Sequence, residues 1–571
     1  MSLSIISRYN NIFDKKEKKE LFFFFSLIII TMVLEVFSIG LIIPVIMSIM
    51  NQDVSSAVPF LKPFFIILDG YNSQEVIIFT SLMLVLAYLL KNLYLLFFLN
   101  IEGNYLSKIE KNLKTKIFHK YLSHQHYTYF KTNSSKLLSN ITMDVAIVVQ
   151  AFKNFLILMA EITVAIGIFA LLFYVEPIMM LFNLVIIIAG LFFFNLYSKQ
   201  KVKNLSFSRK KNTDDLFLTL NNCFDSIKEI NVFNKNLFFE NIFNKSNHEI
   251  YKINKKFHIV QGLPKIFYEF IGVLLLMALI VIMTFSLKEK DIIIAFLALA
   301  GASAFRLIPS ANRILVAYQY LGFAKKSLSL INQELKNNSL DNINKKQQID
   351  FQNKIEFKNV SFKYKDRDSY ILKNVNLKIN KSDKFLIYGE TGSGKSTFIE
   401  LLLGLLKPTT GSIEVDNNDV NLNFKEWCKH IGYIPQKVTL IDGSILSNIA
   451  FGIEENKIDF NLVKEAISLS EISSLIERLP NGINTNVGEF GSNLSGGQIQ
   501  RLGIARAIYR NPDVLILDEA TNALDEEMEQ KVISNILEKF KDKALIIITH
   551  NKSLLTELNK FKIENSKLIS I

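Results

Sequence analysis

The sequence has 571 residues, too many for a single hydrophobic core, so at least two domains are expected. Half of the residues are hydrophobic and 47 are Phe, a composition too apolar for an ordinary soluble protein. A formal net charge of +12 can indicate nucleic-acid binding, but here Lys and Arg cluster at the ends of apolar runs, as in cytosolic loops beside anionic lipids. We therefore expect a membrane part and a soluble part, with no nucleic-acid partner.

Six apolar runs in the N-terminal half are each close to the roughly 20 residues that cross a bilayer. They lie near residues 21–50, 76–99, 155–175, 178–197, 264–286 and 291–309. The first follows a basic segment and has no signal-peptide cleavage site, which predicts an uncleaved membrane span. Lys and Arg are frequent in the stretches 100–153 and 198–263 and sparse in the segments on the other side, so both termini are predicted to be cytosolic.

The two basic stretches keep apolar residues at helical spacing, which predicts helices that continue far into the cytosol. Within residues 51–75, the apolar segment AVPFLKPFFIIL is short and interrupted by Pro59 and Pro63, which favours an interfacial helix on the outer face. These elements define a membrane domain of residues 1–325, followed by a polar linker of residues 326–350.

From residue 351 to 571, short β-branched runs alternate with helical patterns, as is typical of an α/β domain with a largely parallel sheet. Its first strand motif, KFLIYG, continues as GETGSGKST before the helix FIELLLGLL, a phosphate-binding loop pattern. Glycines let backbone N–H groups surround phosphates, Lys395 can reach the terminal phosphates, and Ser396 offers a magnesium ligand. The residues predicted to bind nucleotide here are Gly389, Glu390, Thr391, Gly392, Ser393, Gly394, Lys395, Ser396 and Thr397.

The segment VLILDE, residues 514–519, delivers two carboxylates at the end of a buried strand. Asp518 is predicted to hold Mg²⁺, directly or through water, and Glu519 to polarise the attacking water. A strand that merely ends in acidic residues is the alternative for this segment taken alone.

LSGGQ at 494–498 and the following RLGIARAIYRNPDVLILDEATNALD resemble the ATP-binding cassette transporters, a family that binds ATP and Mg²⁺. The resemblance implies that LSGGQ contacts the γ-phosphate of an ATP held by the opposite subunit. A hydroxyl, backbone donors and a helix N-terminus suit such an anion. The residues assigned to this contact are Ser495, Gly496, Gly497 and Gln498.

The resemblance assigns four further residues of the cassette. Gln436 in IGYIPQ is expected to act in magnesium binding and coupling, and Asp525 in NALD to contact the nucleotide. His550 in IIITH is expected to contact the γ-phosphate, and the ring of Tyr364 in VSFKYKD to stack on adenine.

Because these motifs are all present in one chain, a symmetric homodimer with two equivalent, shared ATP sites is predicted. The chain ends 21 residues after His550, so the family's C-terminal helical extension is expected to be abbreviated. One six-helix unit fused ahead of its cassette resembles exporters and lipid flippases rather than importers. A soluble ATPase of the same superfamily is excluded by the six predicted spans.

Two segments, LPKIFYEFIG at 263–272 and AFRLIPSANRI at 304–314, resemble bacterial flippases of polyprenyl-pyrophosphate-linked oligosaccharides, which serve protein glycosylation at the inner membrane. The resemblance implies that Lys91, Lys265 and Arg306 line a cavity that binds the pyrophosphate. The alternative is that these side chains only anchor helices, by ion pairs between helices or by reaching the membrane surface. Lys91 and Arg306 each lie fifteen residues into inward-running spans, about 22 Å from the outer face. An exporter of other lipids, peptides or hydrophobic drugs is the alternative function. Glu35 and Glu269, also within apolar spans, receive no role.

Overall fold

The computed structural model describes residues 14–49, 73–123, 134–175, 177–285, 290–336, 350–364, 367–549 and 558–571. These residues form two compact units, one of residues 14–336 and one of residues 350–571. The described part of the first unit is helical, and all ten described strands belong to the second.

Long helices build the first unit. In chain order they are α1 (Lys15–Gly40), α2 (Ile42–Ile49), α3 (Ser73–Ser123), α4 (Ser134–Ser139), α5 (Val145–Val175), α6 (Pro177–Asp225), α7 (Ile227–Val232), α8 (Asn236–Phe285), α9 (Lys290–Phe323) and α10 (Lys325–Lys336). The six predicted spans fall on α1 with α2, and on α3, α5, α6, α8 and α9. Three of these helices have 49 to 51 residues, more than twice the length that a bilayer requires.

Within the described residues, three helical stretches are long and apolar enough to cross a membrane. They are Lys15–Gly40, Gln74–Leu122 and Ser134–Leu171. The chain therefore passes through a membrane more than once. The exact bounds of the six spans remain predictions.

Two sequence-based expectations need adjustment. The first span was expected to be continuous, but α1 and α2 are separated by a turn at Leu41. Pro44 explains the break, because it has no N–H group to donate to the carbonyl of Gly40. The predicted linker begins as the helix α10, whose Leu328 and Ile331 are buried in the first unit. The interfacial helix predicted within residues 51–75 lies almost wholly outside the described residues.

A buried polar cluster surrounds Lys210 on α6. Its ammonium group donates to Asp144 Oδ2 at 2.5 Å and Asn140 Oδ1 at 3.0 Å, and it pairs with Asp214 Oδ1 at 2.7 Å. Ser327 of α10 donates to the other Asp144 oxygen at 2.5 Å. Asp144 ends a π-helical turn, Asn140–Asp144, between α4 and α5. The cluster thus ties α10 to α5 and α6 through one buried carboxylate.

We expect Lys210→Met to destabilise the protein by about 3–5 kcal/mol, because it removes the closest cation from a buried carboxylate. The measurement is thermal unfolding in detergent or nanodiscs. Lys211→Met is the matched control, since Lys211 is exposed on the same helix. Equal melting temperatures for the two variants would contradict a stabilising role of the Lys210 cluster.

The second unit is an α/β domain. Its helices are α11 (Lys395–Leu402), α12 (Phe424–Trp427), α13 (Ile445–Ile449), α14 (Phe460–Leu469), α15 (Ser473–Arg478), α16 (Gly496–Tyr509) and α17 (Glu526–Lys539). Its strands are β1 (Lys354–Phe362), β2 (Leu372–Asn380), β3 (Lys384–Tyr388), β4 (Thr410–Val415), β5 (Asn418–Asp419), β6 (Ile431–Ile434), β7 (Val514–Asp518), β8 (Ala544–Ile548), β9 (Asn559–Glu564) and β10 (Lys567–Ser570).

These strands form two sheets. An antiparallel sheet has the order β2-β1-β4-β5, and a six-stranded sheet has the order β10-β9-β3-β8-β7-β6. In the second sheet β9, β3, β8, β7 and β6 are parallel, and only β10 is antiparallel to its neighbour. The strands β7 and β8 are completely buried and, apart from Asp518 at the end of β7, apolar, as expected for a parallel sheet covered on both faces. The carboxyl ends of β3 and β7 therefore meet at one edge of the sheet.

Candidate functional site

The loop between β3 and α11 has the shape of a phosphate cradle. Gly394 caps α11 with φ of 110°, a conformation that residues with a side chain rarely adopt. The first N–H groups of α11 lack helical partners, so they can bind an anion. Lys395 is buried, and its ammonium group donates to the carbonyls of Gly389 at 2.7 Å and Glu390 at 3.2 Å. The Lys395 side chain therefore lies against the loop that is predicted to bind the phosphates.

One orphaned group in this loop fits a bound phosphate. Among the described residues, the hydroxyl of Ser393 is one of the few buried side-chain polar atoms without a hydrogen-bond partner. Gly389 makes room for it, because a Cβ there would come within 2.7 Å of this hydroxyl. A phosphate oxygen would supply the missing partner.

Two adjacent carboxylates end β7 at the same edge. Asp518 and Glu519 are each 8% exposed, and Glu519 has a left-handed φ of 52°. Such a conformation is strained for a non-glycine residue and is common at functional sites. Two amides hold the Glu519 carboxylate: Gln436 donates to Oε2 at 2.5 Å and Asn522 donates to the same oxygen at 3.2 Å. The structure thus brings the predicted residues Gln436 and Glu519 into contact.

The carboxylates of Asp518, Glu519 and Glu400 lie near this edge of the sheet, and their negative charges repel one another. Burial and the neighbouring Glu519 charge raise the pKa of Asp518 above its ordinary value. Burial and the charge of Asp518 likewise raise the pKa of Glu400 on α11. A divalent cation would relieve this repulsion. Asp518 and the exposed Ser396 supply the kind of oxygen ligands that Mg²⁺ takes beside substrate phosphates.

The segment LSGGQ lies at the start of α16. Ser495 caps this helix, and its backbone N–H donates to Gln498 Oε1 at 2.8 Å in a reciprocal capping box. Ser495 and Gly496 are exposed, so the helix N-terminus is open to a second molecule. Gln500 connects this helix to the loop NALD by accepting from the Ala523 N–H at 2.9 Å. A predicted contact to ATP in a second subunit is compatible with this exposure.

Three other predicted residues have different surroundings. The Tyr364 hydroxyl lies 3.2 Å from Thr397 Oγ1, so the tyrosine is anchored beside the start of α11. Asp525 caps α17 by accepting from the Met528 N–H at 2.8 Å, which is a structural role within its own chain. His550 lies outside the described residues. The nucleotide contacts of all three remain predictions.

Two of the three predicted cargo residues meet at one carboxylate in the membrane unit. Lys91 lies 3.6 Å from Glu35 Oε2, and the Arg306 Nε donates to Glu35 Oε1. Lys265 differs, because its side chain is largely exposed and pairs with Glu269 at 3.9 Å on the same helix. Glu35, to which the sequence assigned no role, therefore links two cations, and the cargo role of all three cations remains a prediction.

Sequence reasoning missed two residues of this membrane cluster. Glu161 on α5 is buried and pairs with Arg306 at 3.3 Å and with Arg313 at 2.7 Å. The sequence contained a signal for each residue. Glu161 stands inside an apolar span, and Arg313 stands inside the segment AFRLIPSANRI. Charged residues in spans usually face a partner or a cavity, which would have flagged Glu161.

Comparison with known proteins identifies both units. A family model described as "ABC transporter transmembrane region" matches residues 19–301, and one described as "ABC transporter" matches residues 372–522. Together these matches span most of the chain. The chain belongs to the ABC transporter family.

Relatives of this ABC transporter include a bacterial protein named for translocation and a plant transporter. It is 38% identical over 280 residues to the alpha-hemolysin translocation ATP-binding protein HlyB of Escherichia coli O157:H7, a match that covers 49% of the chain and 39% of HlyB. It is 41% identical over 211 residues to ABC transporter B family member 14 of Arabidopsis thaliana, a match that covers 36% of the chain and 16% of that protein. The chain thus spans less than half the length of these curated relatives.

A solved structure shares the fold over most of the chain. It is described as a bacterial Atm1-family ABC exporter with ATP bound, and it superposes with a TM-score of 0.78 over 93% of both chains at 20% sequence identity. The predicted fold class is confirmed: a helical membrane domain of exporter type fused to an α/β ATP-binding domain.

Proposed function

We propose that this ABC transporter is an ATP-driven half-transporter that works as a homodimer. It moves a polyprenyl-pyrophosphate-linked oligosaccharide across the bacterial inner membrane, with both termini in the cytosol. The meeting of Lys91 and Arg306 at Glu35 carries the cargo assignment, because two cations at one level of the apolar spans suit a pyrophosphate. The relative named for translocation and the exporter fold support the direction of transport.

In the cassette, each side chain has a defined task. Lys395 and the loop amides bind the terminal phosphates of ATP, and the orphaned Ser393 hydroxyl donates to one of their oxygens. Ser396 and Asp518 would hold Mg²⁺, which would supply positive charge to balance that of the phosphates. Glu519 orients the attacking water and accepts its proton, while the Gln436 amide holds the carboxylate in place.

The second subunit completes each site. Ser495 and Gly496 are exposed at a helix N-terminus, and in the dimer they donate to the γ-phosphate bound by the partner's loop. Two identical chains then form two equivalent sites.

Lys91→Gln tests the cargo assignment. Lys91 is the most loosely paired cation of the site, at 3.6 Å from Glu35, so its loss disturbs the fold less than loss of Arg306. We expect ATP-dependent transport of a lipid-linked oligosaccharide in proteoliposomes to fall about tenfold or more, because a charge-assisted contact is lost. Lys265→Gln, measured alongside, reports whether the exposed lysine contributes.

The control for Lys91→Gln is thermal unfolding, which separates cargo binding from helix anchoring. A variant that melts as the wild type does and still transports at the normal rate contradicts the cargo assignment. Stimulation of ATP hydrolysis by peptides or hydrophobic drugs, but not by polyprenyl pyrophosphate, would favour the alternative exporter function.

A further inference from the structure

The charges of the membrane cluster do not balance. Three cations, Lys91, Arg306 and Arg313, surround two carboxylates, Glu35 and Glu161, on helices α1, α3, α5 and α9. Among these five described residues the formal excess is one positive charge, and the half-exposed Arg313 can be balanced by solvent. Lys91 and Arg306 are mostly shielded from solvent, so each needs an anionic partner, which is either Glu35 or a bound anion.

The two carboxylates are held very differently. Glu161 accepts from the Ser310 hydroxyl at 2.5 Å and contacts Arg313 at 2.7 Å and Arg306 at 3.3 Å. Glu35 contacts Arg306 through one oxygen, and its other oxygen lies 3.6 Å from Lys91, beyond hydrogen-bond distance. Glu35 thus depends on one hydrogen bond, from Arg306, whereas Glu161 has three close contacts, so displacing Glu35 breaks fewer contacts.

Arg306 can release Glu35 without losing its position. Its NH1 group donates to the Ser310 hydroxyl at 2.8 Å and to Glu161 at 3.3 Å, whereas its Nε donates to Glu35. When Glu35 moves away, Nε becomes a free donor on a guanidinium that is still fixed by two contacts. Lys91, which also packs over the Tyr88 ring at 4.2 Å, gains an unpaired charge at the same point.

We propose that Glu35 is a built-in counter-ion that occupies the anion site between Lys91 and Arg306 until the pyrophosphate of the cargo displaces it. This inference rests on the proposed function. Glu35 competes with the cargo for the same two cations, so it weakens cargo binding and helps to expel the cargo once the helices rearrange. Glu161 has the opposite task, because it positions Arg306 for the cargo.

The competition can be measured on the full-length protein in nanodiscs. The probe is a polyprenyl pyrophosphate without glycan, and its binding is followed by native mass spectrometry and by the half-maximal concentration for stimulation of ATP hydrolysis. Glu35→Gln removes the competitor, so we expect tighter binding by at least about fivefold. Glu161→Gln should bind more weakly than the wild type.

The matched control is Glu102→Gln, because Glu102 is another buried carboxylate on α3 and faces Lys153 instead of this site. Its affinity for the probe should equal that of the wild type. A neutral polyprenol should bind Glu35→Gln and the wild type equally. If Glu35→Gln does not fold, Glu35→Asp replaces it, since the shorter side chain also weakens the competitor and should tighten binding.

The outcomes separate the two proposals. If the wild type does not bind the pyrophosphate, the proposed cargo is wrong and the counter-ion inference falls with it. If the wild type binds, but Glu35→Gln or Glu35→Asp binds equally or more weakly, Glu35 only anchors helices. The inference is then overturned while the proposed cargo stands.

Discussion

Glu519→Gln should lower the rate of ATP hydrolysis by about 10²- to 10⁴-fold while ATP still binds, because the variant loses the general base alone. Gln436 and Asn522 both donate to Glu519 Oε2, and the amide oxygen of a glutamine can accept the same hydrogen bonds. The substitution also removes a charge that raises the pKa of Asp518, so this carboxylate should remain available to Mg²⁺. The ATP-bound closed dimer is expected to accumulate.

Hydrolysis and ATP binding are measured on the purified variant. Glu527→Gln is the matched control, because Glu527 is an exposed glutamate of the same domain that pairs with Lys531. Its hydrolysis rate should equal that of the wild type. Wild-type hydrolysis by Glu519→Gln would show that another group is the base.

Ser495→Arg should abolish hydrolysis although it leaves the phosphate loop of its own chain untouched. The exposed Ser495 is expected to meet ATP bound by the partner, and an arginine would block that approach and break the capping box with Gln498. The effect should act in trans.

Mixed dimers reveal that trans effect. A dimer of one Ser495→Arg subunit and one Lys395→Ala subunit carries both lesions at one site and none at the other. Each homodimer should hydrolyse no ATP. The mixed dimer should hydrolyse ATP at one of its two sites, so that one nucleotide is trapped per dimer. If both sites of the mixed dimer are inactive, or both are active, the shared-site arrangement is contradicted.

The fold and the cassette could be predicted from the sequence because their signals are local. The phosphate loop spans GETGSGKST, and the acids of VLILDE stand next to each other, so short spacing fixes which groups meet. The contact between Gln436 and Glu519 follows from the pairing of β6 with β7, which places their carboxyl ends side by side. Parallel neighbours in a sheet make such contacts predictable.

The membrane cluster could be predicted only in part, because it joins helices that are far apart in the sequence. Helical rise predicted a common depth for Lys91 and Arg306, but rise does not tell which way a side chain faces. Their partner Glu35 lies more than fifty residues from Lys91 and more than two hundred from Arg306. Lys265 was assigned to the same cavity by the resemblance, without a depth from helical rise, and its side chain is exposed beside Glu269.

The most direct test of ATP-driven cargo transport is a flipping assay in proteoliposomes that contain a fluorescent polyprenyl-pyrophosphate-linked oligosaccharide. The wild type should move the labelled lipid between leaflets only when ATP and Mg²⁺ are present on the cassette side, and Glu519→Gln should leave it in place under the same conditions. Equal movement with and without ATP, or by Glu519→Gln at the wild-type rate, would contradict transport driven by hydrolysis at these sites.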